Sequence, residues 1–317
     1  MIEVQGRGGI AVKVIEDSVN DDGWRLTTLQ LRYPRFIHAE FMTHRVFSRN
    51  ASSSRAIPVR KMLAQVWSDP AMPEHWGANQ PGMQARAELT GWRRRLAPHV
   101  WRAAGKAACV VVWALDKMGA HKQWANRLLE PWQWINVVVT STEWKNFMDL
   151  RLHPDAQPEM CSLAKAVRVA IAGSTPRPLS WTEWHMPYCQ LNDVSLLPLS
   201  VAACARVSYL THDRKVASVA EDVALHDRLL KANPPHMSPA EHQARATPGQ
   251  WANFSGWQSY RNTLEVATPP PLRVPCVARR HRAGHGRDAP LMDVRRLHRG
   301  VGRRRGRRRA QGAWLRS

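Results

Sequence analysis

Glu40-Phe-Met-Thr-His-Arg-Val-Phe-Ser-Arg-Asn-Ala-Ser-Ser-Ser-Arg55 is the most informative stretch of this 317-residue chain. It packs a histidine, three arginines, an asparagine and several hydroxyls into sixteen residues that follow an extended segment. Guanidinium, hydroxyl and amide groups at that density can hold a phosphate, a pyrophosphate or the edge of a heteroaromatic ring. A polar surface loop is the plain alternative for the stretch taken alone.

Upstream, Ile10, Val12 and Val14 alternate with other residues, Asn20-Asp-Asp-Gly23 supplies turn chemistry, and Arg25 to Arg32 reads as extended. Together they predict a hairpin. Downstream, Pro58 to about Gly119 is helical in pattern, broken around Pro70 to Gly82 and at Pro98, with Trp92, Trp101 and Trp113 read as core or interface residues. Trp132 to Thr142 carries the β-branched run Val137-Val-Val-Thr140 and suits a strand or the start of a helix. Asp155-Ala-Gln-Pro-Glu159 opens a clearer helix with an apolar side of Met160, Leu163, Val167 and Ile171, and Pro158 fits its first turn. After the break at Ser174-Thr-Pro-Arg-Pro-Leu179, Ser218-Val-Ala-Glu221 has capping-box spacing, with Val219, Val223 and Leu229 or Leu230 as the expected apolar side of the helix it starts.

The formal charge of +21 is mostly local. From Leu272 to Ser317 there are fifteen arginines, no lysine and two acids, so the tail contributes +13 and residues 1–271 only +8. The body, expected to be a single domain over 1–271 with a subdivision near 174–200 left open, is mildly basic, which suits anionic small molecules as well as nucleic acid. The tail lacks the apolar residues for a core and is expected to be disordered, with nucleic-acid binding confined to it. All lysines precede residue 232, and the abrupt change fits an evolved tail and an out-of-frame extension equally. No apolar run approaches the ~18 residues of a membrane span, so the expectation is a soluble, cytoplasmic protein. The five cysteines are scattered without a CxxC pair, and neither a disulfide framework nor a metal site is expected.

Five more stretches carry chemistry. Asn126-Arg-Leu-Leu-Glu-Pro131 and Glu143-Trp-Lys-Asn-Phe-Met-Asp-Leu-Arg151, the latter running on to Ala156-Gln-Pro-Glu159, each place an arginine beside a helix signal. Ala203-Cys-Ala-Arg-Val-Ser-Tyr209 precedes His236-Met-Ser-Pro-Ala-Glu-His242, whose proline spoils the helical geometry that a two-histidine zinc site needs. Asn253 to Arg261 is rich in aromatic and amide groups and suits either stacking on a ring or core packing.

Together these stretches resemble flavin-dependent thymidylate synthases, whose signature R-H-R-x-x-S-x-N-E-x-S-x-R is matched by His44, Arg45, Ser48, Asn50, Ser53 and Arg55. Thr43 stands where the family has its first arginine, Ala51 where it has a glutamate, and Glu40 where it usually has a glutamine. The 126–131 and 143–159 stretches are similar to the family's R-x-x-L-P and N-F-x-x-L-R-x-x-x-x-A-Q-x-E patterns. The 203–209 and 236–242 stretches are similar to its A-A-R-V-S-[FY] and H-x-[ST]-P-F-E-H. In usual members this last pair precedes the R-H-R segment, whereas here it follows by about 190 residues, as in a circular permutation, which is tolerated where termini lie close together.

The resemblance implies an α/β (α+β) fold with a central, mostly antiparallel sheet flanked by helices, assembled as a homotetramer. It implies dUMP as substrate, FAD as cofactor, and NADPH and methylenetetrahydrofolate as co-substrates. By the same resemblance Arg151 and Ser53 would serve catalysis, and Glu40, Ser53, Arg55, Arg127 and Arg151 would bind the nucleotide. Thr43, His44, Arg45, Asn50, Asn146, His236, Ser238 and Glu241 would hold the cofactor. The departures at positions 40, 43 and 51 leave a second reading, a catalytically impaired nucleotide-binding or nucleic-acid-binding relative.

Overall fold

A computed structural model describes residues 2–209 and 218–267. The expected hairpin is present as β2 (Ala11–Asn20) and β3 (Arg25–Pro34), antiparallel and joined through the turn at Gly23, with β1 (Glu3–Gln5) added on the outer edge of β2. Next in the chain come α1 (His38–Phe41), β4 (Ser48–Ala51), α2 (Val59–Ser68), α3 (Gly91–Lys117) and α4 (Lys122–Ala125). Of the two readings left for Trp132 to Thr142, the strand is the one realised. It forms β5 (Trp134–Ser141), paired antiparallel with β3 on one side and β4 on the other, and its run of valines is almost wholly buried. A strand in the interior of a sheet is covered on both faces, which is why its apolar residues run on rather than alternate.

α5 (Lys145–Arg151) and α6 (Pro158–Gly173) follow. α6 lays Met160, Leu163, Val167 and Ala170 against Ile10, Val12, Leu29 and Leu31 of the sheet, close to the expected apolar side. β6 (Arg177–Leu179) then pairs with β2 in parallel, the one parallel pair among the described strands. A second sheet of β7 (Trp184–His185), β8 (Ala244–Trp251) and β9 (Phe254–Ser259) is antiparallel throughout. α7 (Leu197–Arg206) and α8 (Val219–Leu230) lie between β7 and β8 in sequence, and α9 (Tyr260–Ala267) follows β9. The architecture is therefore the expected mixed α/β one, with mostly antiparallel sheets flanked by helices.

The expected break at Pro70 to Gly82 lies in the irregular chain between α2 and α3. Three expectations change. Pro98 lies inside α3 without ending it. Trp92 and Trp113 on α3 are exposed, so the core half of that reading fails for them, while Trp101 packs against Trp132. On α8 the buried residue is Leu225, with Leu229 beside it; Val219 and Val223 face outward. The packing partner is α7, so the side that faces α7 wins over the one an isolated helix would favour. Ser218 and Glu221 do form the reciprocal capping box. The basic segment from residue 272 on lies outside the described residues.

A buried chain of hydrogen bonds ties the two sheets together. Thr28 and Thr140 face each other in register on β3 and β5, their hydroxyls 2.7 Å apart. Thr28 also bonds His185 Nε2 on β7 at 2.7 Å, and His185 Nδ1 lies 2.9 Å from the Ser18 hydroxyl of β2. At the other end Thr140 meets Nδ1 of His242, the residue ahead of β8, at 2.9 Å. Burial pushes His242 down to about 3 and His185 well below the usual histidine range, so both rings are neutral. The Nε2 of His242 is buried without a hydrogen-bond partner.

Candidate functional site

Arg151 ends α5 and reaches across to the connection between α1 and β4. Its Nε–H donates to His44 Nε2 at 2.9 Å, one terminal nitrogen pairs with the Glu40 carboxylate, and the other donates to the Thr43 hydroxyl at 3.1 Å. Residues more than a hundred positions apart thus form one cluster, and three of them carry the altered or matched positions of the signature. Asn146, five residues before Arg151 on α5, also acts on His44, its side chain favouring the protonated ring. The His44 ring is stacked on Phe47 and meets Phe147 edge-on at 5.0 Å. Burial first, and then the charges of Arg151 and Arg49, push His44 down to about 4. Since its Nε2 accepts from Arg151, the neutral ring carries its proton on Nδ1.

Arg49 was not singled out from the sequence, yet it shapes this loop. Its guanidinium donates to the carbonyls of Met42 at 3.0 Å and His44 at 2.9 Å, closing the turn that presents His44. Arginines that serve backbone carbonyls have no sequence pattern of their own, because their partners are set by the turn and not by side-chain type.

β4 is the hinge of the arrangement. Asn50 is buried and spends its amide on the Cys204 carbonyl of α7 at 2.7 Å, while the Ser208 hydroxyl donates to the Ala51 carbonyl at 3.1 Å. The expected cofactor residue Asn50 therefore serves as a tie between the Arg-rich stretch and the Ala-Arg-Val-Ser stretch. Ser53 lies just beyond, its N–H donating to the Ser208 carbonyl at 3.1 Å and its hydroxyl accepting from the Arg55 N–H at 3.3 Å. Arg55 and Arg45 are exposed. Arg127 is half exposed and stands 3.7 Å from Glu130, whose carboxylate also receives Ser54 and Arg35. Asn126 holds the same loop from beneath by donating to the carbonyls of Ser54 at 2.7 Å and Ile57 at 2.9 Å.

The third set divides. His236 and Ser238 are exposed, while Glu241 pairs with Arg261 at 2.5 Å. Arg261 is held from its other side by Glu265 at 2.8 Å. Glu241, Arg261 and Glu265 border a cavity of about 190 Å³ lined also by Ser48, Trp251, Asn253 and Asn262, to which His236 and Ser238 do not belong. The aromatic and amide stretch read from the sequence thus borders a cavity, although Phe254 and Trp257 within it are buried core. A cavity of about 150 Å³ holds one benzene ring, so this one matches a single ring. Among the described residues no group of three or more histidines, cysteines or acids is placed to hold a metal ion, and no helix is long and apolar enough to cross a membrane.

Comparison with known proteins is sparse. No family model matches this chain, and no curated protein matches it. Among solved structures, the UMP/dUMP methylase PolB from Streptomyces cacaoi bound with 5-Br dUMP is similar at 16% identity with a TM-score of 0.42, covering 52% of this chain and 91% of that one. The same enzyme bound with 5-Br UMP gives 16% and 0.42, over 53% and 91%. A superposition of this quality assigns neither activity nor ligand.

Proposed function

We propose that the chain binds dUMP and methylates it to dTMP with reduced FAD as hydride donor, methylenetetrahydrofolate as carbon donor and NADPH as the source of electrons. The observation that carries this reading is the convergence of Arg151, Asn146, His44, Thr43 and Glu40, brought from two distant stretches whose motifs both resemble the same family. A guanidinium has five N–H donors, of which three are used within the cluster. The remainder can face a pyrimidine ring. There a fixed cation stabilises the negative charge that spreads over N3 and O4 as C5 becomes nucleophilic, and no cysteine adduct at C6 is then required. Neutral His44 keeps Arg151 in place without adding a competing charge. Arg55, Arg127 and the Ser53 hydroxyl supply donors for the phosphate.

Bound FAD would supply the hydride chemistry. The donor set fits such a cofactor in character: Trp251 at the cavity beside Glu241 offers a face against which one ring of a flavin can lie, and the exposed Arg45, His236 and Ser238 offer anion-binding and hydrogen-bonding groups. A homotetramer and a cytoplasmic location belong to the same proposal. The competing reading, a nucleotide-binding relative without turnover, is favoured by one observation. The Glu40 carboxylate neutralises Arg151 where the family usually has a glutamine.

Purified protein decides between them. After incubation with FAD and desalting, the expected result is a yellow protein that releases tritium from [5-³H]dUMP only when NADPH and methylenetetrahydrofolate are present. A colourless protein that releases none refutes the enzyme, and retained dUMP binding in that case supports the second reading.

A further inference from the structure

Glu130 sits in the short helical turn Asn126–Trp132, between two arginines from distant parts of the chain. One oxygen of its carboxylate is ion-paired with Arg35 at 3.1 Å, accepts a hydrogen bond from the Ser54 hydroxyl at 3.1 Å, and faces Arg127 at 3.7 Å. Arg35 is anchored by its own backbone, its N–H donating to the Gln133 carbonyl at 2.8 Å. Its side chain is 18% exposed and that of Arg127 52%. The backbone of Ser54 is fixed in turn by Asn126.

Two guanidinium groups and a hydroxyl converging on one anionic oxygen are the donor set of a phosphate-binding site. A single carboxylate leaves the pair of arginines with one uncompensated positive charge, and each keeps N–H groups beyond the one directed at Glu130. The constellation also borders the loop 52–55, which holds Ser53 and Arg55 of the proposed nucleotide site. We infer that Arg35 is a further phosphate-binding residue, acting with Arg127 on the phosphate of the bound nucleotide, and that Glu130 is the positioning residue that aims both guanidinium groups. This inference rests on the nucleotide-binding reading above. Arg127 entered that reading by resemblance; Arg35 enters it through geometry alone, because it lies outside every matched motif.

The alternative role for Arg35 is to tie the end of β3 to the 126–132 turn, with no ligand involved. Calorimetric titration of dUMP and of deoxyuridine into the full chain, its Arg35→Gln variant and its Arg35→Lys variant separates the two, with thermal unfolding run on each. The expected result is that Arg35→Gln binds dUMP at least about tenfold more weakly, the loss of a charge-assisted contact, while binding of deoxyuridine and the unfolding temperature stay at the wild-type values. Arg35→Lys is expected to recover part of the loss. Equal dUMP affinity in wild type and Arg35→Gln overturns the inference, as does a loss shared equally by nucleotide and nucleoside, the mark of a structural tie. If the wild-type chain binds neither compound, the nucleotide-binding reading itself fails and takes the role of Arg35 with it.

Discussion

Acid should unfold this protein through the histidines buried between its sheets, and His242 offers a clean measure of it. His242 stays neutral in the fold to about pH 3, whereas in the unfolded chain the ring takes up a proton near 6.5. Above pH 6.5 neither state is protonated and the full stability is present. As pH falls below 6.5 the unfolded chain binds a proton that the native state refuses, and stability is lost at about 1.4 kcal/mol per pH unit for each such ring. Between pH 6.5 and 5 that amounts to about 2 kcal/mol for His242, and His185, shifted the same way, adds to the loss in the same direction. Since whole domains are stable by about 5–15 kcal/mol, this is a large share. The assay is urea unfolding at pH 7, 6 and 5 for wild type and His242→Gln. Whatever the variant costs at pH 7, its stability should fall less with acid, by about 2 kcal/mol in total between pH 7 and pH 5. Parallel pH dependences in the two proteins would refute the buried neutral ring as the source.

Glu40→Gln should keep the contact to Arg151 while removing the competing negative charge, so dUMP affinity measured by titration should rise severalfold; a fall would show that the carboxylate itself contacts the ligand. Gly256→Ala should lose at least about 2 kcal/mol in denaturant unfolding, because φ is +74° there and an added Cβ would lie 2.5 Å from the Asn20 amide and 2.6 Å from the Trp24 ring. Ser218→Ala should cost about 1 kcal/mol by removing the capping box of α8, read in the same unfolding experiment, and an unchanged midpoint would count against it. Deleting residues 272–317 should abolish any salt-sensitive retention on immobilised RNA or DNA while leaving dUMP binding intact.

How much of this was legible in the sequence follows from how local each cause is. The β2–β3 hairpin and α6 could be read because alternation, turn residues and a 3.6-residue apolar spacing are local signals, and β5 was left between two readings because a buried apolar run has no period. The outward Trp92 and Trp113 could not be placed, since an apolar residue on a long amphipathic helix gives no hint of whether its face is covered. Each member of the cluster around Arg151 is named as a site residue by the resemblance, and the structure adds its wiring: Glu40 and Thr43, two of the three positions that depart from the family pattern, meet the terminal nitrogens of Arg151. Arg49 and Arg261 sit in quoted stretches without a role of their own, and Arg35 sits outside them, for a common reason. Each acts on a backbone carbonyl or on a carboxylate brought close only by tertiary packing. Asn50 was singled out, but its partner is the Cys204 carbonyl, and a main-chain partner leaves no trace in side-chain spacing.

The tie between β4 and the end of α7 also sets an order of events during synthesis. Asn50 waits for the carbonyl of Cys204, 154 residues later in the chain, and Ser53 waits for Ser208. Until the ribosome has made that second stretch, the loop is held by its own turn and by Asn126, but β4 lacks the side-chain tie that joins it to α7. A nascent chain cut short before α7 would carry nearly all the signature residues and still leave that edge of β4 unfastened. The last fastening would then arrive late, as long-range contacts of this kind are made after local ones.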